Sequence, residues 1–382
     1  MKFLHISDLH LGKHLNEVSL IEDQTFILGQ ILKICDEQKP DAVLIAGDVY
    51  DKGIPSVDAV SLFDDFLTQL AKRKLKVFII SGNHDSAERM TCGSKLMETS
   101  GVYFAKPYSD KDFNQHFSLT DENGPINIYL LPFIKPATVK AAFPDVADKI
   151  DSYTAAAAHA LKQMNVNTSE RNILVAHQFV TGSTRCESEE INVGGSDNVD
   201  VEVFADFDYV ALGHLHGPQK AGAENIRYCG TPLKYSFSEV NHKKCVLIID
   251  AGKKGELNIS SVPLNPLRDV REIKGTYEEL TLKKNYENTN QNDYLHITLT
   301  DEEDIPEGFG RLQIIYHNLI KLDYDNSRTR NNNEIEGAVD VEHTKPIDLF
   351  EQFYELQNNS KLSPEQKEFT QKLIEDIWGG EK

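Results

Sequence analysis

Five short apolar runs in this chain each end in side chains that bind metals. They read Phe3-Leu4-His5-Ile6-Ser7-Asp8-Leu9-His10, Val43-Leu44-Ile45-Ala46-Gly47-Asp48, Val77-Phe78-Ile79-Ile80-Ser81-Gly82-Asn83-His84-Asp85, Ile173-Leu174-Val175-Ala176-His177 and Tyr209-Val210-Ala211-Leu212-Gly213-His214-Leu215-His216. Short apolar runs bounded by turn residues read as buried strands. Buried strands that release Asp, Asn or His at their C-terminal ends converge those groups on one rim of a sheet. The groups so placed are Asp8, His10, Asp48, Asn83, His177, His214 and His216, enough for two metal ions. Two metals beside a bound water make a phosphoester hydrolase.

The spacing supports convergence. Asp8 and His10 stand two apart on a strand or its extension, so they point to the same side, as do His214 and His216. Gly47, Gly82 and Gly213 precede Asp48, Asn83 and His214, where glycine lets the backbone turn sharply and approach an ion. Each signal alone has an ordinary reading: a solvated Asp-x-His, a capped His177, a turn at Asn83-His84-Asp85. Repeated at successive strand ends, they favour a metal centre. Imidazole, carboxylate and amide oxygen together suit Mn²⁺ or Fe²⁺, and Ca²⁺ less well. Thiolates are absent from the set, which argues against structural zinc.

The bulk numbers bound the rest. The chain has 382 residues, long enough for two or three domains. At 40% hydrophobic and 26% charged it has the composition of a globular protein. No apolar run reaches the roughly 18 residues that span a membrane. Met1-Lys2-Phe3-Leu4 leads straight into a motif-bearing run, so no signal peptide is expected. Cys35, Cys92, Cys186, Cys229 and Cys245 are scattered and form no CxxC pair, which fits a reducing cytoplasm and small buried hydrophobes. The net charge of -20 is unlike a stand-alone DNA binder. If the substrate is nucleic acid, a partner supplies much of the backbone binding.

The first part alternates strands and helices. Leu20 to Glu37 carries Ile27, Ile31 and Ile34 on one helical face. Ser56 to Ala71 repeats this with Val60, Phe63, Leu67 and Leu70, with Ser56 as N-cap. Residues 151–164 form a further helix with Tyr153, Ala157, Ala160, Leu161 and Met164 inward. After His216 come shorter strands, Arg227-Tyr228-Cys229, Lys244 to Asp250 and Leu257 to Val262, expected to complete a second sheet. Pro263 to Pro266 looks like a domain joint. A small α+β domain follows, with strands at Val270–Ile273, Tyr294–Leu299 and Leu319–Tyr324 and helices at Tyr277–Lys284 and Arg311–His317. Asn285–Asp293 and Asp325–Asn333 read as loops. Two terminal helices then carry Ile347, Phe350, Phe353 and Tyr354, and Phe369, Leu373 and Ile377, the second opening on Ser363-Pro364-Glu365-Gln366 and stopping at Gly379-Gly380. They either fold onto the body or dock a partner.

Asp8-x-His10, Gly47-Asp48, Gly82-Asn83-His84-Asp85, His177 and Gly213-His214-x-His216 together resemble the calcineurin-like metallophosphoesterases. The resemblance implies an α/β fold, a four-layer α/β/β/α sandwich. It implies one metal on Asp8, His10 and His216, another on Asn83, His177 and His214, and Asp48 bridging them. His84 would hydrogen-bond the phosphoryl oxygen or protonate the leaving alkoxide, with Asp85 fixing its orientation and raising its pKa.

A narrower resemblance is to the SbcD family of bacterial nuclease subunits. It rests on Leu131-Pro132-Phe133-Ile134-Lys135-Pro136, Ser188-Glu189-Glu190 with Val193-Gly194-Gly195, Phe207 to His216 and Gly230 to Glu239. It implies a nuclease domain over 1–265, a DNA-contacting capping domain over 266–330 and a helical pair over 344–382 that docks an SbcC-type ATPase. The implied activity is that of a Mn²⁺-dependent double-strand exonuclease and hairpin endonuclease of DNA repair and recombination, cytoplasmic, a homodimer within a heterotetramer. The chain holds no GxxxxGK[ST] phosphate loop, so the ATPase must sit on the partner. Some relatives have a histidine three residues after the bridging aspartate; here it is Asp51. A phosphodiesterase for nucleotides or other small phosphoesters is the competing reading, and a metal-free scaffold a more distant one.

Overall fold

The Val43–Ala46 and Val77–Ile80 runs are buried throughout, as strands covered on both faces must be. The computed structural model describes residues 1–109, 116–186, 189, 197–330, 345–358 and 360–378. Ser188, Glu190, Val193-Gly194-Gly195, Asn333 and the Gly379-Gly380 helix stop lie outside the described residues.

Two six-stranded sheets carry the five runs. The first has the order Leu257–Pro263, Cys245–Ala251, Lys2–Ile6, Ala42–Ala46, Lys76–Ile80, Val102–Phe104. Lys2–Ile6 runs parallel to Ala42–Ala46, and the next two strands continue that direction. The second sheet has the order Gln219–Ala221, Ala223–Tyr228, Tyr209–Gly213, Arg171–His177, Gly124–Leu131, His116–Asp121. Its four central strands are parallel and both edge strands antiparallel. Three of the five motif runs therefore lie side by side in one sheet and two in the other.

Alternation along the strands builds the layers. Phe3, Leu44, Ala46, Phe78 and Ile80 of the first sheet meet Ile128, Leu130, Ile173, Val175 and Ala211 of the second in one buried cluster. The opposite face of the second sheet, with Leu131, Leu174, Ala176, Val210 and Leu212, packs on Ala156, Ala157, Ala160 and Leu161 of the helix Tyr153–Gln163. Leu4, Ile6, Val43, Ile45, Val77 and Ile79 of the first sheet are buried on the other side, as are Ile27, Ile31 and Ile34 of Ile21–Gln38 and Phe63, Leu67 and Leu70 of Val57–Lys72. The result is the expected four-layer α/β/β/α sandwich.

Three expectations need correction. Cys245–Ala251 and Leu257–Pro263 do not extend the second sheet. They return to the first, where Cys245–Ala251 pairs antiparallel with Lys2–Ile6. The physical reason is the open edge of Lys2–Ile6, which without that hairpin exposes a row of backbone donors and acceptors. Val60, expected to face inward, is 44% exposed. The strands Val102–Phe104, His116–Asp121 and Gly124–Leu131 were not foreseen; the last two form a hairpin through Glu122-Asn123 ahead of Gly124.

The chain divides into two compact units, Met1–Val270 and Arg271–Lys382. The second contains a three-stranded sheet in the order Val270–Gly275, Tyr294–Leu299, Asn318–Tyr324, with Leu295, Ile297, Leu299, Leu312, Tyr316 and Leu319 as its core. It also contains the helices Pro346–Asn358 and Pro364–Trp378. Ser363 and Gln366 form the expected reciprocal cap, at 3.1 and 2.9 Å. No helix among the described residues is long and apolar enough to cross a membrane.

Candidate metal centre

The ends of the five runs meet at one rim, and the backbone there is locked before any side chain acts. Asp8 N–H donates to the Gly47 carbonyl and His10 N–H to the Asp48 carbonyl, at 3.0 and 2.9 Å. Asp8, His10, Asp48 and His214 all have positive φ, of 52°, 43°, 49° and 102°. Such conformations cost L-residues about 1–2 kcal/mol each and persist only where surrounding structure fixes them. The strand direction breaks at these points, which turns the side chains off the sheet and into the rim.

The glycines do more than let the backbone turn, as Gly47 does with a φ of 85°. A Cβ on Gly82 would lie 2.1 Å from Asp48 Oδ1, and one on Gly213 would lie 1.9 Å from the Ala46 carbonyl oxygen. A Cβ on Gly47 would meet His177 Nδ1 at 2.5 Å. They admit neighbouring protein, so that donors from the two sheets can crowd together.

The side chains group as follows. Asn83 Oδ1 lies 3.0 Å from His177 Nε2 and 2.9 Å from His214 Nδ1. Asp48 Oδ2 lies 3.3 Å from His177 Nε2 and 3.7 Å from His10 Nε2, between the two expected ligand sets. Asp8 Oδ1 accepts from His214 N–H at 2.9 Å. The rings of His10 and His216 are 5.1 Å apart, and those of His10 and His84 4.8 Å. Donor atoms of Asp8, Asp48 and His177 lie within 4.8 Å of one another, as do those of His10, Asp48 and His84. All seven expected donors are brought together.

These donors fit divalent cations on an observation of their own. Asp8 Oδ2 and both ring nitrogens of His10 are buried with no hydrogen-bond partner. A buried polar atom left unpaired costs about 1–3 kcal/mol, and here three converge on a carboxylate-rich cluster that a cation satisfies. Electrostatics agree. Burial works to raise the Asp48 carboxyl, but His177 and His10 outweigh it and hold it well below the usual range. Burial works to lower His177, and Asp48 outweighs it, raising the imidazole to about 9. His214 is pushed by burial down to about 3, with the neighbouring His177 adding to the fall and Asp48 opposing it only in part.

Asp85 does not orient His84. Its carboxylate accepts from the backbone N–H groups of Val49, Tyr50 and Gly82 at 3.1, 2.9 and 2.9 Å, stapling two of the motif loops. Desolvation leads and the neighbouring Asp48 adds to it, raising the Asp85 carboxyl to about 6. His84 Nδ1 instead meets the Asp51 carbonyl oxygen at 3.0 Å, and His84 N–H donates to Asp48 Oδ1 at 2.9 Å. The Asp51 carboxylate pairs with Lys13 at 2.7 Å and lies 3.8 Å from His10 Nδ1.

Several supporting residues escaped the sequence reading. Glu239 Oε1 lies 2.9 Å from His216 Nδ1, and Glu189 accepts from His216 N–H at 2.6 Å. Gln24 donates to the His10 carbonyl at 2.8 Å, and Tyr235 to the Leu9 carbonyl at 2.5 Å, pinning the first loop. Glu189, Tyr235 and Glu239 lie in stretches that carry the narrower resemblance, but no spacing assigns them a role.

Residues 1–218 match the calcineurin-like phosphoesterase model, and residues 266–358 match the type 5 capsule protein repressor C-terminal domain. The SbcD component of the SbcCD nuclease from Staphylococcus epidermidis is 34% identical over 384 aligned positions, covering 99% of each chain. This chain belongs to the calcineurin-like phosphoesterases, in the SbcD family. The SbcD-family chain is thus a metal-dependent phosphodiester hydrolase, and its rim offers the donors for divalent ions. Solved structures with a similar fold include a dimetal phosphatase from Danio rerio, 11% identical over 68% of this chain and 95% of its own, at a TM-score of 0.45. Another is the calcineurin-like phosphoesterase YfkN from Bacillus subtilis, 13% identical over 68% and 88%, at 0.35.

Proposed function

We propose that this chain is the DNA-cleaving component of an SbcCD-type complex in the cytoplasm, with two Mn²⁺ ions at the rim. It acts as a double-strand exonuclease and hairpin endonuclease with an SbcC-type ATPase, in DNA repair and recombination. The observation that carries the reading is the convergence of the seven side chains and His84 on one rim, in a chain matched end to end by a nuclease subunit. In this reading Asp8, His10 and His216 hold one ion, Asn83, His177 and His214 the other, and Asp48 both. Divalent ions there supply a lowered pKa for a bound water and neutralise charge on the phosphoryl oxygens.

The chain's own residues do the rest. The Asp51 carbonyl accepts a hydrogen bond from His84 Nδ1–H, so Nε2 is the nitrogen left to act. It hydrogen-bonds a phosphoryl oxygen or, from the imidazolium form, protonates the leaving 3′ or 5′ alkoxide. Asp85 holds the loops beneath.

The domain roles belong to the same proposal. Residues 1–265 form the nuclease domain, 266–330 the capping domain that contacts DNA, and 344–382 the helical pair that docks the ATPase. Ile54, Val57 and Leu96 are 72%, 81% and 78% exposed, and these exposed apolar side chains support a homodimer within the heterotetramer.

The test is cleavage of a blunt linear duplex by the purified chain, with Mn²⁺ against Mg²⁺. Degradation is expected with Mn²⁺, less with Mg²⁺, and more when the ATPase partner and ATP are present. Vigorous hydrolysis of cyclic nucleotides with duplex DNA left intact would instead establish the small-phosphoester reading.

A further inference from the structure

Beyond the seven donors, one buried ionic network has no part in the chemistry described so far. Glu239 is fully buried, in a short helical turn at Phe237–Glu239 and past the end of the phosphoesterase match at residue 218. Its Oε1 faces His216 Nδ1 at 2.9 Å. Its Oε2 accepts from Lys244 Nζ at 2.6 Å and from Thr231 Oγ1 at 3.2 Å. Lys244 Nζ also donates to the His216 carbonyl at 2.9 Å and to Thr231 Oγ1 at 2.6 Å. The network therefore grips His216 twice, by its ring and by its backbone.

We infer that Glu239, held in place by Lys244 and Thr231, is a positioning residue that sets the tautomer and pose of His216 for metal binding. A carboxylate can only accept, so Nδ1 must carry a proton, and the neutral ring that binds a metal then keeps its lone pair on Nε2. Nε2 is then the donor offered to the ion. A carboxylate behind a ligating imidazole also increases its basicity, and loss of such a partner typically costs about 10–100-fold in metal affinity. Burying a carboxylate and an ammonium is expensive and adds little net stability. A fully apolar packing would serve the fold as well, which points to the ring of His216 as what the network is for.

The inference rests on the metal-centre reading, and its test separates the two. Mn²⁺ alone is titrated calorimetrically into the metal-stripped full chain. Wild type is expected to bind two ions; no binding at all would overturn the metal-centre reading itself. Glu239→Gln combined with Lys244→Met removes both charges at similar volume, so that no lone ion stays buried. This variant is expected to melt as a folded protein and to bind one ion about 10–100-fold more weakly, the other unchanged. Glu239→Gln alone is expected to show the same loss, with cleavage recovering at high Mn²⁺. Long-range ¹⁵N spectra should report His216 protonated on Nδ1 in wild type and a tautomer mixture in the variant. A folded double variant with wild-type affinity at both sites would overturn the positioning role.

Discussion

His84 is held through its backbone N–H by Asp48 and through Nδ1 by the Asp51 carbonyl. Neither contact depends on its own metal binding. His84→Gln is therefore expected to keep both ions, measured by elemental analysis of the dialysed protein, while turnover on duplex DNA falls by about 10²–10⁴-fold. Loss of the metals as well would make His84 a ligand. Gly213 offers a second residue-scale test. A methyl there would sit 1.9 Å from the Ala46 oxygen and 2.7 Å from His177 Nδ1, with backbone unable to yield. Gly213→Ala is expected to cost at least about 1–3 kcal/mol and to lower the melting temperature by several degrees. The seven donors were legible in the sequence because each closes an apolar run, so position within a strand announced it. Glu239 and the Asp51 carbonyl were not, because they reach their histidines across 23 and 33 residues of chain. A backbone carbonyl has no sequence signature at all.

At the scale of elements, periodicity gave the long helices and the ligand-bearing strands, but neither the short helices Pro136–Ala142 and Ser327–Arg330, the latter in a stretch read as a loop, nor the sheet in which each later strand lies. A buried strand reads the same in either sheet, and only the open edge of Lys2–Ile6 decides for Cys245–Ala251. The two sheets are also tied by one side chain that no pattern reveals. Arg171, on the second sheet, donates to the Gly124 and Pro125 carbonyls beside it and to the Ala251 and Gly252 carbonyls ending a strand of the first. It also forms a bidentate pair with Asp121, which in turn pairs with the N-terminal ammonium at 3.0 Å. Arg171→Met leaves these carbonyls without their donor and is expected to cost about 3–5 kcal/mol, read from urea denaturation. The pH dependence has a definite sign. Hydrogen bonds from Arg171 hold the Asp121 carboxyl below its usual range. That stabilisation is complete above the unfolded pKa of about 4 and is lost as pH falls below it. The variant should therefore match the wild-type pH dependence from neutral pH down to about pH 4 and lose less stability than wild type as pH falls below that.

At the scale of the whole molecule, charge and tail bear on the same proposal. A net charge of -20 works against binding a polyanion, since phosphate contacts are what a nucleic-acid binder gains from lysine and arginine. The metal-binding rim can attack a phosphodiester it is handed but is poorly placed to gather long duplex unaided. Under the proposed function the two terminal helices would dock the partner that delivers it. They form a hairpin joined by Lys367 to Glu351 at 2.7 Å, and Gln366 reaches the Tyr354 hydroxyl at 3.4 Å. Yet Phe353 and Phe369 remain 59% and 68% exposed, and Phe350 and Leu373 are exposed as well. Aromatic side chains at helical spacing left in water are what a helix-in-groove contact buries. Because the contact is apolar, it should survive high salt that strips DNA from the complex. Deleting residues 344–382 is thus expected to abolish co-purification with the ATPase at any salt concentration, while Mn²⁺-dependent cleavage of short duplexes by the isolated chain stays within about twofold of wild type, a change of no more than roughly 0.4 kcal/mol. Retention of the partner by the truncated chain would move the docking surface elsewhere on the molecule. Loss of basal cleavage together with the partner would tie the tail to the fold of the catalytic unit.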